Sequence, residues 1–223
     1  MKRIIYIAFG ILLSLVLLLT AVDIVAFNMN HYKREFAKHD ITTVTGMDDE
    51  NLQHVTKELL SYLRDERDDL KIEAVVRGEK REVFGEREKL HMIDVKDLFV
   101  GGRKVRKVSL IILGLLLILF IKTDKDWKRN LAKTFMFTGM VNIDLIILLF
   151  LLMHFDFTKY FDYFHYIFFD NDLWILDPNT EILIQMLPQE FFFNTAVKIA
   201  LIYAGTIIAL GIGGFWYKKR QIL

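Results

Sequence analysis

The chain has 223 residues, 53% of them hydrophobic and 26% charged, with a formal net charge of +1 and no cysteine. The lack of cysteine excludes disulfides, thiol catalysis and cysteine lipidation of the chain itself. The balanced charge, without a basic stripe carrying interleaved aromatics, gives no support for a nucleic-acid partner. So much apolar and so much charged sequence points to segregation of the two along the chain.

From the N-terminus, Ile4 to Phe27 is apolar apart from Ser14, Thr20 and Asp23, long enough for a hydrocarbon core of roughly 30 Å. Thr20-Ala21-Val22-Asp23 is a poor cleavage site and the apolar run continues past it, so the segment reads as an uncleaved anchor. Met47-Asp48-Asp49-Glu50 opens a helix with acidic residues at its positive end, and Leu52, Val55, Leu59, Leu60 and Leu63 supply an apolar stripe. Lys71 to Val76 is a strand candidate, followed by a turn at Arg77-Gly78-Glu79. Glu86 to Phe99 forms a second amphipathic helix that sets His91 and Asp94 one turn apart on one face.

Val108 to Ile121 is the next apolar run, short enough for a buried helix or a re-entrant segment. With Phe99 and Val100 included, and Arg103, Lys104, Arg106 and Lys107 snorkelling outward, it becomes a span over about 100–121. A third span covers 135–153. The aromatic stretch 155–169 beyond it is expected to lie at the membrane interface. Leu173 to Leu176 and Glu181 to Ile184 flank Asp177-Pro178-Asn179-Thr180 as a hairpin signal, and a fourth span, 191–217, closes on Trp216-Tyr217.

The short basic segments Lys2-Arg3, Lys122 to Lys133 and Lys218 to Arg220 belong on the cytoplasmic side by the positive-inside rule. Four spans satisfy this. The expectation is an all-α integral membrane protein with four transmembrane helices at about 4–27, 100–121, 135–153 and 191–217. Both termini are then cytoplasmic, and residues 28–99 and 154–190 form an extracellular cap of amphipathic helices plus a small β element. The whole chain, 1–223, is read as a single membrane domain.

Of the six histidines, His31, His39 and His54 fall in solvated or amphipathic stretches and His154 at a span end, where structural roles are the default. His91 and His165 differ, because Asp94 follows one and Asp162 precedes the other at helical spacing, where a carboxylate can fix a tautomer and tune proton transfer. A metal site lacks an HExxH motif or a cysteine pair, and a serine nucleophile lacks G-x-S-x-G. A module whose cap binds lipid or a protein partner without chemistry, and a hydrolase releasing free fatty acid, stay open on these residues alone.

Two stretches together carry a family likeness: Phe84-Gly85-Glu86-Arg87-Glu88-Lys89-Leu90-His91-Met92-Ile93-Asp94-Val95-Lys96, and Phe164-His165-Tyr166-Ile167-Phe168-Phe169 continuing through Asn171 and Trp174 to Leu187-Pro188. With the spans, they make the chain resemble the bacterial lipoprotein intramolecular transacylase (Lit) family of integral membrane proteins. The resemblance implies an enzyme of the bacterial cell membrane acting on diacylated lipoproteins. It would move the sn-2 acyl chain of the diacylglyceryl group to the α-amino group of the N-terminal cysteine, leaving a lyso-form lipoprotein. It implies His91 and His165 as catalytic residues and Arg87, Asp94 and Asn171 as supporting or oxyanion groups. Tyr166, Phe168, Phe169 and Trp174 are expected to bind substrate, beside membrane lipid, and no metal, nucleotide or other cofactor is implied.

The chemistry suits the residues independently of the family. An α-amine with a reference pKa of about 7.7 to 8.0 must lose protons to attack an ester, a task for neutral imidazole, and the tetrahedral oxyanion then needs hydrogen-bond donors. His165 as base and His91 as hydrogen-bonding or acid partner is the preferred division, with reversed roles nearly equivalent.

Overall fold

The computed structural model describes residues 2–220, which group into two compact units. One holds the chain up to Ile24, Arg103–Phe155 and the chain from Ala196; the other holds Val25–Gly102 and Asp156–Thr195. In chain order the elements are α1 (Lys2–Ala26), α2 (Met29–Lys38), α3 (Ile41–Thr45), α4 (Asp49–Leu63), β1 (Glu73–Val76), β2 (Glu79–Glu82) and α5 (Glu86–Thr123). Then come α6 (Trp127–Phe155), α7 (Phe157–Phe168), α8 (Ile182–Met186) and α9 (Gln189–Arg220).

In the first unit, α1, α6 and α9 are long and apolar enough to cross a membrane. α5 does not join them on that measure, because Arg103, Lys104, Arg106 and Lys107 on one side and Lys122 on the other shorten its apolar run. Apolar side chains such as Ile4, Ile11, Leu115, Leu149 and Leu201 are outwardly exposed, as suits lipid rather than water. Within this surface the helices are tied by polar contacts. Asn142 donates to Ser14 Oγ at 2.8 Å and accepts from Tyr203 Oη at 2.6 Å, linking α1, α6 and α9. Arg106 pairs with Asp23 at 2.5 Å and donates to the Leu19 carbonyl, which neutralises two charges beside the apolar stretches of α1 and α5.

Glycines set how closely α6 and α9 approach. A Cβ on Gly139 would stand 3.3 Å from the Gly211 Cα, and one on Gly214 would stand 2.5 Å from the Ala132 carbonyl oxygen. Small residues at these points let the two backbones touch, the usual packing of helices in lipid, where no hydrophobic force drives them together.

The second unit has its own core of Tyr32, Phe36, Leu52, Val55, Leu59, Ile72, Val76, Phe84, Met92, Ile182, Met186 and Phe191, among others. α4 starts where the acidic run predicts: Asp48 caps it by accepting from the Asn51 N–H at 2.8 Å, and Leu52, Val55, Leu59, Leu60 and Leu63 are all buried. β1 and β2 pair antiparallel with Val76 opposite Glu79. The two-residue turn between them has φ of +54° at Arg77 and +84° at Gly78, the double positive φ that matches the twist of a tight hairpin.

The hairpin expected around Asp177–Thr180 does not form. Asp177 does build a turn, accepting from the Asn179 N–H at 2.9 Å, but Leu173–Leu176 makes no strand and Ile182–Met186 is helix α8. Two interactions take the backbone groups a ladder would need: Glu88 accepts from the Leu183 N–H at 2.6 Å, and Arg87 donates to the carbonyls of Asp172 and Ile175. Ile182, Leu183 and Met186 then bury together, a helical rather than a strand spacing.

Candidate active site

His91 lies on the second turn of α5. Gly85 precedes that helix and Glu88 reaches back to its N–H at 2.5 Å, the reciprocal half of a capping box, so Gly85-x-x-Glu88 fixes where the helix begins and hence which way His91 faces. Glu88 is itself buried and also accepts from Leu183, joining the start of α5 to α8; burial pushes its carboxyl above the usual range. His165 lies on the last turn of α7, which Asp156 caps by accepting from the Lys159 N–H.

The two rings meet in this unit with centroids 6.2 Å apart. Both are buried, at 8% and 7% exposure. His165 Nδ1 is 2.7 Å from the Phe161 carbonyl oxygen, which can only accept, so Nδ1 carries the proton and Nε2 keeps its lone pair. Trp174 stacks on the His165 ring at 4.5 Å, and Phe169 stands edge-on to His91 at 5.4 Å. His91 Nδ1 is buried without a hydrogen-bond partner among the described residues. Burial, and then the neighbouring His165, push His91 down to about 4, while burial also holds His165 below the ordinary imidazole range. Both rings are therefore neutral at pH 7.

The remaining site residues expected from the sequence lie in the same unit. Asn171 donates to Asp94 Oδ2 at 2.9 Å, its side-chain oxygen accepts from the Leu173 N–H, and its carbonyl accepts from the Trp174 indole N–H. Arg87 donates through Nε to the Ile175 carbonyl at 3.2 Å and through Nη2 to that of Asp172. Arg87, Asp94 and Asn171 thus fasten the loop that holds Trp174 against His165. Of the four rings expected at substrate, Phe169 is buried and Trp174 half-buried beside the histidines, while Tyr166 and Phe168 are 65% and 52% exposed.

Two features were not singled out from sequence. Glu88 is one, although its spacing from Gly85 is a readable capping signal. The other is His31, which is buried rather than solvated: its Nε2 lies 2.8 Å from Thr195 Oγ1, and Glu35 lies between it and His39 on α2.

The model of the lipoprotein intramolecular transacylase Lit family matches residues 7–192. The chain belongs to the Lit family. It is therefore a membrane transacylase, and the reading of the cap as a binding module without chemistry is set aside. The fold is similar to the in meso structure of the membrane integral Lit from Bacillus cereus, with a TM-score of 0.79 and 22% identity over 100% of this chain and 99% of that one. Two in meso structures of the Bacillus cereus protein with a single histidine changed to alanine or to arginine give TM-scores of 0.74 each. Their identities are 22% and 23%, over 100% of this chain and 96% and 95% of theirs. No curated protein sequence matches the chain.

Proposed function

We propose that His91 and His165 together move the sn-2 acyl chain of a diacylglyceryl lipoprotein to the α-amino group of its N-terminal cysteine. The observation that carries this is the fixed tautomer of His165, whose Nε2 lone pair is free in a buried site 6.2 Å, ring to ring, from a second neutral imidazole. Nε2 of His165 takes a proton from the α-amine as its nitrogen attacks the ester carbonyl. The tetrahedral oxyanion accepts from His91, whose depressed basicity suits it to donate as a neutral imidazole rather than to wait as an acid. The C–N bond forms in that attack; collapse restores the carbonyl and breaks the ester C–O bond, and His165 returns its proton to the departing glyceryl oxygen. The product is N-acylated and carries a free sn-2 hydroxyl. Arg87, Asp94 and Asn171 act by holding the 171–175 loop, and Phe169 and Trp174 wall the site against water, with Tyr166 and Phe168 offering apolar surface to the acyl chains.

Donor and acceptor share one substrate, so the protein's main contribution is to bring amine and ester together. Four crossings at about 4–27, 100–121, 135–153 and 191–217 make one membrane domain over 1–223, with the ends cytoplasmic and residues 28–99 and 154–190 as an extracellular cap of the bacterial cell membrane. Asp23 supports the α5 crossing by neutralising Arg106.

The test is mass spectrometry of a lipoprotein coexpressed with the wild type, His91→Ala or His165→Ala in a host lacking this activity. Wild type gives the N-acylated lyso-form, and each variant loses it by about 10²-fold or more while still inserting in the membrane. Undiminished lyso-form with both variants defeats the assignment.

A further inference from the structure

A cleft of about 270 Å³ opens elsewhere on the second unit, at the start of α7 and α9. Lys38, His39, Thr158, Gln189, Glu190 and Asn194 supply its polar lining, with His39 already paired to Glu35 at 3.4 Å, and Phe157 and Phe193 its apolar one. The polar side chains are partly committed in ways that leave defined capacity. Gln189 donates to Thr158 Oγ1 at 2.8 Å, and Asn194 donates to Glu35 at 2.7 Å. The amide oxygens of both then remain as acceptors, the Thr158 hydroxyl remains as a donor, and Lys38 is exposed on the cleft wall. Acceptors and donors side by side, with charge of both signs at Lys38 and Glu190, fit the alternating N–H and C=O groups of a peptide backbone better than a simple anion.

An aromatic row connects this cleft to the histidines. Phe193 packs on Phe157 at 5.3 Å, Phe157 on Phe161 at 5.5 Å, and Phe161 on His165 at 4.5 Å. Thr158 and His165 are separated by about 10 Å along α7 at ~1.5 Å per residue. An extended peptide covers that in roughly three residues at ~3.3 Å each.

We propose that this cleft binds the polypeptide of the lipoprotein a few residues beyond its acylated N-terminal cysteine, so that the enzyme grips peptide as well as lipid. The proposal rests on the transacylase reading for the identity of the substrate. It makes Lys38, Thr158, Gln189 and Asn194 the residues that set how much the peptide, as opposed to the diacylglyceryl group, adds to binding.

The experiment measures binding and turnover of two ligands by the full chain in phosphatidylcholine nanodiscs: diacylglyceryl-cysteine amide, and the same lipid on a peptide of six residues. The longer ligand should bind about tenfold more tightly, the equivalent of one or two net hydrogen bonds. Gln189→Leu should remove most of that difference, as should Lys38→Ala, whose exposed side chain makes folding failure no concern. Equal binding of the two ligands by the wild type, or equal weakening of both by the variants, overturns the proposal. So does weakening of the longer ligand when phosphatidylglycerol replaces phosphatidylcholine, if Lys38→Ala abolishes that effect, since the cleft would then hold a lipid headgroup. Lyso-form product is read on the same samples by mass spectrometry. Length-dependent binding without product defeats the catalytic reading alone, and product without length dependence defeats this proposal alone.

Discussion

Replacing His91 by phenylalanine tests whether the site holds its imidazole neutral. In the folded chain burial, with the adjacent His165, brings His91 to about 4, against 6.5 for an ordinary imidazole. A histidine depressed in this way leaves folding undisturbed above about pH 6.5 and makes it progressively less favourable as pH falls toward 4, because the unfolded chain takes up the proton and the folded chain resists it. Protonation of the two states with those values gives a loss of about 2 kcal/mol between pH 7 and pH 5, and about 3 kcal/mol by pH 4. His91→Phe keeps a ring against Phe169 and removes the titration. The assay is reversible unfolding of the reconstituted protein followed by Trp174 fluorescence, at pH 7 and pH 5, with Trp127 and Trp216 replaced by phenylalanine in both proteins. The wild type should lose about 2 kcal/mol more than His91→Phe on going to pH 5. Parallel losses in the two proteins would refute the argument that burial governs this imidazole.

Arg87→Lys keeps the charge but loses the fork that engages the Ile175 and Asp172 carbonyls together, so the loop bearing Trp174 should loosen and lyso-form turnover fall by between about tenfold and a hundredfold, with little change in thermal stability. Hydrogen exchange over residues 171–175 reads the loosening, and unchanged exchange with unchanged turnover would remove Arg87 from the site. In the membrane unit, Gly214→Ala drives a methyl against the Ala132 carbonyl and should cost about 1–3 kcal/mol in a thermal unfolding series. Gly213→Ala, whose Cβ meets nothing within 4 Å, should be neutral or slightly stabilising, and the opposite order would contradict the close crossing of α6 and α9.

The amino-acid sequence by itself determined the local part of this protein. Apolar runs long enough for a bilayer place α1, α6 and α9, the acidic cluster at Asp48 to Glu50 starts α4, and Arg77-Gly78 turns β1 into β2, because each depends on hydropathy, capping or turn chemistry within a few residues. The pairing of His91 with His165 was legible only through the family likeness and each residue's neighbours, since a carboxylate one turn away says nothing of a partner seventy-four residues distant.

Tertiary structure decided what depends on non-local contacts. Asp177-Pro178-Asn179-Thr180 carries a sound turn signal, yet Arg87 and Glu88 from α5 claim the flanking backbone groups, so a helix stands where strands were expected. The tautomer of His165 follows from the carbonyl of Phe161, a group every residue has and no side-chain pattern reveals, and His31 is buried because Thr195 arrives from α9. Backbone acceptors and burial belong to the assembled fold, which is why the sequence could nominate the residues of the candidate site but not their protonation.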